Sequence, residues 1–272
     1  MVLRPETEPA HADNAFVSAW EAVACAEKTS SAKYYLVRQP DHARVSGDIA
    51  QQLAIAGAPA VDNDIVRGIS LHDEGWKDFD NGSERLSATP AIYSGENIAL
   101  NAEGSPLSFL DIKAGDFLRA WRGSIDSAEA VAPIAALIVS GHFCRLGKFG
   151  ISLGTYPAQD TQHVREFLAS EEQRQRRWLR LQTRAESEVQ YWTDVLQFCD
   201  LLSLYLCCGS KESVEFPQRI GPKGETVRLQ LQDAAFVLSP ALLAKEVELS
   251  VEARPYPADT GVPPITIRWR MR

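Results

Sequence analysis

The sequence predicts a mainly α-helical protein with a small antiparallel β appendage at its C-terminal end. Three observations carry that expectation. Apolar residues recur at helical spacing through most of the chain up to about residue 210. After Gly209, the runs VRLQLQ, KEVELSVEA and ITIRWRMR alternate apolar and polar residues with period two, the signature of strands. The 272 residues are 45% hydrophobic and 24% charged, the composition of a globular chain with a real core. This reading divides the chain into an N-terminal helical extension (1–33), a helical domain (34–210) and a β-rich appendage (211–272), with no internal repeat.

Each element has a local reason. DNAFVSAWEAVACAEK, residues 13–28, offers Asp13 or Asn14 as a helix cap and sets Phe16, Trp20 and Val23 on one face. KYYLV is β-prone, and Pro40 stops it. A helix then runs from Asp41, its cap, to about Ala56, with His42, Val45, Ile49 and Leu53 on one stripe, so that His42 points inward. VDNDIVRGISLHDEGW gives the next helix, with Ile65, Ile69 and His72 on one side and Gly75 as its stop. Residues 81–106, rich in Gly, Ser, Asn and Pro, read as a long irregular loop of the kind that carries function. Helices resume at DIKAGDFLRAWRGSIDSAEA and at APIAALIVSGHFCRL, the second apolar nearly all round and therefore central. Two more helices fill the region from about Asp160 to Cys208. RIGPKGETV, between strand-like runs, is a hairpin turn, because it lacks the spacing and the following helix of a phosphate loop.

Bulk properties narrow the function. A net charge of −8 argues against nucleic acid as the main partner. SEEQRQRRWLRLQTRAESE pairs Glu172 with Arg176 and Arg184 with Glu188 at helical spacing, which marks a solvated face in preference to an RNA- or DNA-binding patch at Arg174, Arg176, Arg177 and Arg180. The acidic start lacks the apolar stretch of a secretory signal, and no apolar run is expected to span a bilayer. The five cysteines have no CxxC pair, and four lie in apolar stretches, the pattern of free thiols in a reducing cytoplasm.

The chemistry is concentrated in a few ionisable residues on apolar helices: His42, the doublet His72-Asp73, His142 in IVSGHFCRL, and Asp200 in LQFCDLLSLYLCC. A buried imidazole or carboxylate is costly unless it is paired or metal-bound. One inward histidine is usually a satisfied core residue, but four such positions on separate helices suggest a shared site. Two imidazoles and two carboxylates (His42, His72, Asp73, Asp200) suit Mn, Fe, Co or Ni, and less typically Zn or Mg, with room for water and a substrate oxygen.

The motifs QPDHARVSGDIA, SLHDEGWKDFD, ALIVSGHF and DLLSLYLC resemble the HD superfamily of metal-dependent phosphohydrolases, and more closely an HD-related bacterial family of unassigned activity. The likeness covers about Tyr35 to Cys208. It implies an HD-type helical bundle in which His42, His72, Asp73 and Asp200 are the metal ligands. His142 falls where two-metal members carry a further histidine, and His163, at the polar start of a helix, reads as a surface residue. A one-metal site is therefore expected. The implied activity is hydrolysis of a phosphate ester or phosphoanhydride of a small molecule or nucleotide. Asp73 would then take part in catalysis, Glu74 or His142 would relay the proton, Lys77 and Arg145 would hold phosphate, and Gln39 and Trp76 would line the pocket. Two rivals stand beside it: a di-iron oxygenase that enlists His142 and His163, and a metal-binding sensor without turnover.

Overall fold

In the computed structural model, which describes residues 1–7, 16–257 and 263–272, strands occur at both ends of the chain. Strands β1 (Val2–Pro5) and β2 (Val17–Ser18) precede helix α1 (Ala19–Glu27), and β3 (Tyr34–Val37) follows it. Helices α2 (Gln39–Gln52) and α3 (Asn63–Ser70) come next, then the one-turn α4 (Lys77–Asp80). The Gly- and Ser-rich stretch after it contains a short hairpin, β4 (Ile92–Tyr93) and β5 (Ala99–Leu100). Four long helices follow: α5 (Ala114–Glu129), α6 (Pro133–Ser152), α7 (Ala158–Leu179) and α8 (Glu186–Cys208). The chain ends in β6 (Val214–Phe216), β7 (Val227–Gln232), β8 (Ala235–Ser239), β9 (Val247–Tyr256) and β10 (Ile265–Met271).

Eight of these strands form one mixed sheet in the order β1-β3-β9-β10-β8-β7-β6-β2. The expected mainly helical fold with a small antiparallel appendage is thereby corrected. β3 runs antiparallel to β9, with Tyr34 opposite Tyr256, while β10 lies parallel to β8 and β2 parallel to β6. Periodicity misses the N-terminal strands for a physical reason. Val2, Leu3 and Pro5 of β1 are all buried, so the strand shows no inside–outside alternation, and its sheet partners lie far away in sequence. The turn at RIGPKGETV is present, joining antiparallel β6 and β7.

Several element boundaries also move. The proposed caps Asp13 and Asn14 lie outside the described residues. Helix α1 starts at Ala19, where the Glu21 carboxylate accepts the Ser18 N–H at 3.3 Å, and Trp20 is 37% exposed. Asp41 does not cap α2. It sits in the first turn and pairs with Arg38 (2.6 Å) and Arg44 (3.1 Å), and Leu53 lies beyond the helix end, bridging Leu243. Helix α3 is capped by Asp62, whose side chain accepts the Ile65 N–H, and it ends at Ser70.

One hydrophobic core runs from the helices into the sheet. Phe198 of α8 meets Phe216 of β6 edge-on at 4.9 Å, and Tyr205 meets Phe236 of β8 at 6.0 Å. Helix α6 lies inside this core. Contrary to the sequence reading, it is long and apolar enough to cross a membrane, and 67% of its apolar window is buried in the fold.

Gly75 does not stop a helix. It lies in a 3₁₀ turn (Glu74–Trp76) pressed against α5, where its N–H donates to Ser124 Oγ at 3.0 Å. A Cβ there would stand 2.0 Å from the Ala120 carbonyl oxygen, which is backbone and cannot swing away. Gly75→Ala is therefore expected to lower unfolding stability in urea by about 2 kcal/mol or more. An unchanged midpoint would contradict this close approach.

Candidate metal centre

Four segments meet in the core around a cluster of short polar side chains. The first turn of α2 carries His42, whose stripe with Val45 and Ile49 turns it inward until no surface remains. The turn after α3 carries His72 and Asp73. Within a regular helix, neighbouring side chains diverge by about 100°. Here the helix has already ended, and Asp73 adopts φ −119° and ψ 19°, so both members of the doublet reach the same place. Helix α6 contributes His142 and α8 contributes Asp200, both buried. Gly47 lets α2 approach this turn, because a Cβ there would fall 1.8 Å from Ser70 Oγ.

The geometry is tight. His42 Nε2 lies 2.8 Å from Asp73 Oδ2, and His72 Nε2 lies 3.2 Å from Asp200 Oδ1 and 3.9 Å from Asp73 Oδ2. His142 Nε2 stands 3.7 Å from Asp200 Oδ2. The His42 and His72 rings meet edge-on at 5.3 Å, and those of His72 and His142 at 5.5 Å. Two triads, His42–His72–Asp73 and His72–His142–Asp200, each bring their donor atoms within 4.8 Å of one another. The Asp73 and Asp200 side chains stay 11% and 12% exposed, so the centre reaches solvent through its carboxylates.

The electrostatics follow from burial and opposed charge. Burial works against a charged His72, yet Asp73 and Asp200 outweigh it and push the imidazole up to about 9. Burial would raise Asp200, but the His72 hydrogen bond and the surrounding imidazoles hold it down to about 2. Burial dominates at His142 and takes it down to about 4, leaving it neutral, and its Nδ1 has no hydrogen-bond partner among the described residues. In the ion-free chain, then, a protonated His72 is the cation that balances the carboxylates.

Other residues singled out in the sequence lie elsewhere. Glu74 and Lys77 pair with each other at 2.8 Å and line a surface cavity of about 380 Å³ with Phe79 and Arg119, to which neither triad contributes. Arg145 is held by Asp194 (2.6 Å), Gln197 and Gln190. Trp76 is buried against Phe79. Gln39 is buried one turn before His42, with its backbone N–H donated to Asp80 and its Oε1 without a partner among the described residues. His163 sits on α7, in neither triad. Arg174 and Arg177 are neutralised by Asp126 and Glu129 of α5, which leaves them no free charge for a polyanion.

Two hydroxyls escaped the sequence reading. Ser203 Oγ lies 2.9 Å from His42 Nδ1, donates to the Asp200 carbonyl at 2.8 Å and touches Ser46 Oγ at 2.8 Å. Their signal was helical spacing alone: Ser203 is three residues after Asp200, and Ser46 four after His42.

A family model described as "Protein of unknown function (DUF3891)" matches residues 27–257. No curated protein and no solved structure matches the chain. The resemblance to the HD superfamily is thereby corrected. The matching family is not described as an HD family, and the helices pack against an eight-stranded sheet where an HD-type bundle was expected.

The raised His72 value has a consequence for the ion-free protein. The unfolded imidazole loses its proton near pH 6.5 and the folded one near pH 9. Between those values the folded state binds more protons, so stability falls as pH rises. Urea unfolding of metal-stripped protein is expected to show a loss of roughly 3 kcal/mol across that window. Buried Glu27, whose carboxyl is pushed up to about 8 by desolvation, adds a fall of the same sign up to pH 8. His72→Gln should therefore lessen the slope and leave little change between pH 8 and 9. A wild-type profile flat between pH 8 and 9 would contradict a charged His72.

Proposed function

The chain belongs to that family of unknown function, and from its site we propose a metal-dependent hydrolase acting on a phosphate ester or phosphoanhydride of a small molecule or nucleotide. The observation that carries this reading is the convergence of His42, His72, Asp73 and Asp200, with His142 beside them, from four segments into one buried cluster. Nothing else in so apolar a setting explains three imidazoles within reach of two carboxylates as economically.

The donor set fits a divalent ion. His72 Nδ1–H is given to the Ile69 carbonyl at 2.8 Å, so Nε2 is the ligating atom once its proton leaves. His42 can do the same, with Nδ1–H donated to Ser203 Oγ and the Ser203 O–H donated in turn to the Asp200 carbonyl. Imidazole and carboxylate together suit Mn, Fe, Co, Ni or Zn better than Mg. Both triads depend on the same His72 nitrogen, which supports one ion and not two. A two-iron oxidative reading would need another histidine, and His163 lies outside both triads.

A divalent ion held here supplies Lewis acidity toward a phosphoryl oxygen and lowers the pKa of water. His142, kept neutral by burial, has a lone pair to accept a proton, which makes it a better general base than Glu74, committed to Lys77 at the surface. Asp73 and Asp200 would complete the ion's ligand set and form its solvent-facing rim. With Lys77 and Arg145 engaged in other pairs, the charge of the substrate has to be met at the centre itself. The buried free thiols Cys144, Cys199, Cys207 and Cys208 support a reducing cytoplasmic setting.

The test is metal analysis beside turnover. Wild-type protein is expected to retain about one equivalent of transition metal and to hydrolyse at least one member of a phosphate-ester and nucleotide panel. Asp73→Ala should lose both, and Ser203→Ala should weaken metal affinity by roughly 10–100-fold. Equal metal in wild type and Asp73→Ala would overturn the centre. Bound metal without turnover across the panel would overturn the hydrolase and favour a metal-binding sensor.

A further inference from the structure

We infer that the open edge of β9 is a docking strand for another protein. An extended, lysine- or arginine-rich segment of that partner adds to the sheet beside Glu248, Ser250 and Glu252. This surface depends neither on the ion nor on hydrolysis.

Hydrogen-bond parity shows which way these residues turn. Arg272 N–H donates to the Phe236 carbonyl of β8 at 2.9 Å, and the Arg272 carbonyl accepts the Leu238 N–H at 2.9 Å. Successive residues of a strand direct their backbone groups to opposite sides. Met271, Trp269 and Ile267 therefore face β9, where they stand opposite Val247, Leu249 and Val251. Glu248, Ser250 and Glu252 direct their N–H and carbonyl groups the other way. On that side β3 reaches only as far as Arg254, which lies opposite Leu36. The chain then turns into α2, and no strand continues beside Glu252. Among the described residues, the backbone groups of Glu248, Ser250 and Glu252 have no partner on this side.

The gap is bounded and open to solvent. At its far end Leu243 bridges Leu53, and the Leu242 carbonyl accepts the Ala54 N–H at 2.7 Å. Between the two ends lies a cavity of about 410 Å³, walled by Asp48 and Gln51 of α2 and by residues 245–250. From Val247 to Ala253 the edge runs roughly 20 Å, about six extended residues. The β1 edge of the sheet is closed by contrast, because the outward Leu3 N–H donates to the buried Glu27 carboxylate at 2.8 Å. An uncovered row of donors and acceptors is a template for another strand. Main-chain bonds of this kind supply the affinity in recognition by strand addition, and neighbouring side chains supply the specificity.

Charge specifies the partner. Glu248 and Glu252 are exposed on the outer face of β9, and Asp48 and Glu246 line the cavity, where Lys245 is the one cation among the described residues. Asp48, Glu246 and Glu252 form no ion pair among the described residues, while Glu248 meets Arg268 at 3.5 Å across exposed surface. A residue placed opposite Glu248 or Glu252 shares their face, with Cβ atoms roughly 5 Å apart. Lysine or arginine is favoured there and a carboxylate is repelled. The same repulsion opposes pairing of two β9 edges, so the strand comes from a different, basic chain.

The experiment titrates the full chain with a capped hexapeptide alternating lysine and threonine, and follows the β9 amides by NMR and hydrogen exchange. In the free chain, the Ser250 and Glu252 amides are expected to exchange roughly tenfold or more faster than those of Leu249 and Val251, which bond to β10. The peptide should shift the Glu248, Ser250 and Glu252 amides saturably and slow their exchange by roughly tenfold or more. The same peptide N-methylated at its lysines, or with glutamate in place of lysine, should bind roughly tenfold more weakly. Glu252→Lys, at an exposed position, should weaken the lysine peptide several-fold. Slow Ser250 exchange in the free chain, no protection on adding peptide, or equal binding of the N-methylated peptide would overturn strand addition. Equal binding of the glutamate peptide would overturn the basic partner. Protection that rises with protein concentration alone would assign the edge to a second copy and overturn it too.

Discussion

Two carboxylates inside an apolar core set the terms for this molecule. Asp73 and Asp200 are both buried, and an uncompensated buried charge costs roughly 3–5 kcal/mol or more. The chain compensates with imidazoles from α2, α6 and the doublet itself, of which His72 carries the positive charge. These side chains are short, so the segments bearing them must pack closely. That is why Gly47 faces Ser70 and why Gly75, next to the doublet, lies flat on α5. The packing of α2, α3, α6 and α8 can be read as the solution to one electrostatic problem.

On the proposed reading, the same arrangement would make a proton and a divalent ion compete for one position. Whatever neutralises the carboxylates must sit between His72 and both aspartates, and His72 Nε2 is already turned toward them by its Nδ1–H bond to Ile69. His142 takes no part in the ion-free balance. It remains neutral with an unsatisfied nitrogen, a cost the fold bears without structural return. Groups of this kind, poor for stability and well placed for chemistry, are what distinguish a functional cluster from a core of satisfied histidines.

The cluster was legible in the sequence because burial and chemistry coincide there: an imidazole on an apolar stripe, or an aspartate inside LQFCDLLSLYLCC, stands out without any structure. The residues that support it were not, since serines such as Ser46 and Ser203 occur in any helix and acquire meaning only from distance. Lys77 and Arg145 show the converse failure. Closeness in sequence to a motif said nothing about which way they point, and both are paired elsewhere. The sheet was half visible. Long solvent-facing strands such as β9 and β10 alternate clearly, whereas β1 is short and almost wholly buried and β2 has two residues, so their part in an eight-stranded sheet had no local signature. The HD likeness failed for a related reason: a few polar residues in helical contexts describe a site more reliably than they describe a fold.

These side chains are proposed to form a single-ion centre. Its most direct measurement is an anomalous difference map from crystals of the full chain grown with Mn²⁺. One strong peak is expected within about 2.5 Å of His72 Nε2, with His42 Nε2, Asp73 and Asp200 completing the shell. Two peaks, a peak remote from His72, or none at full manganese loading would contradict it.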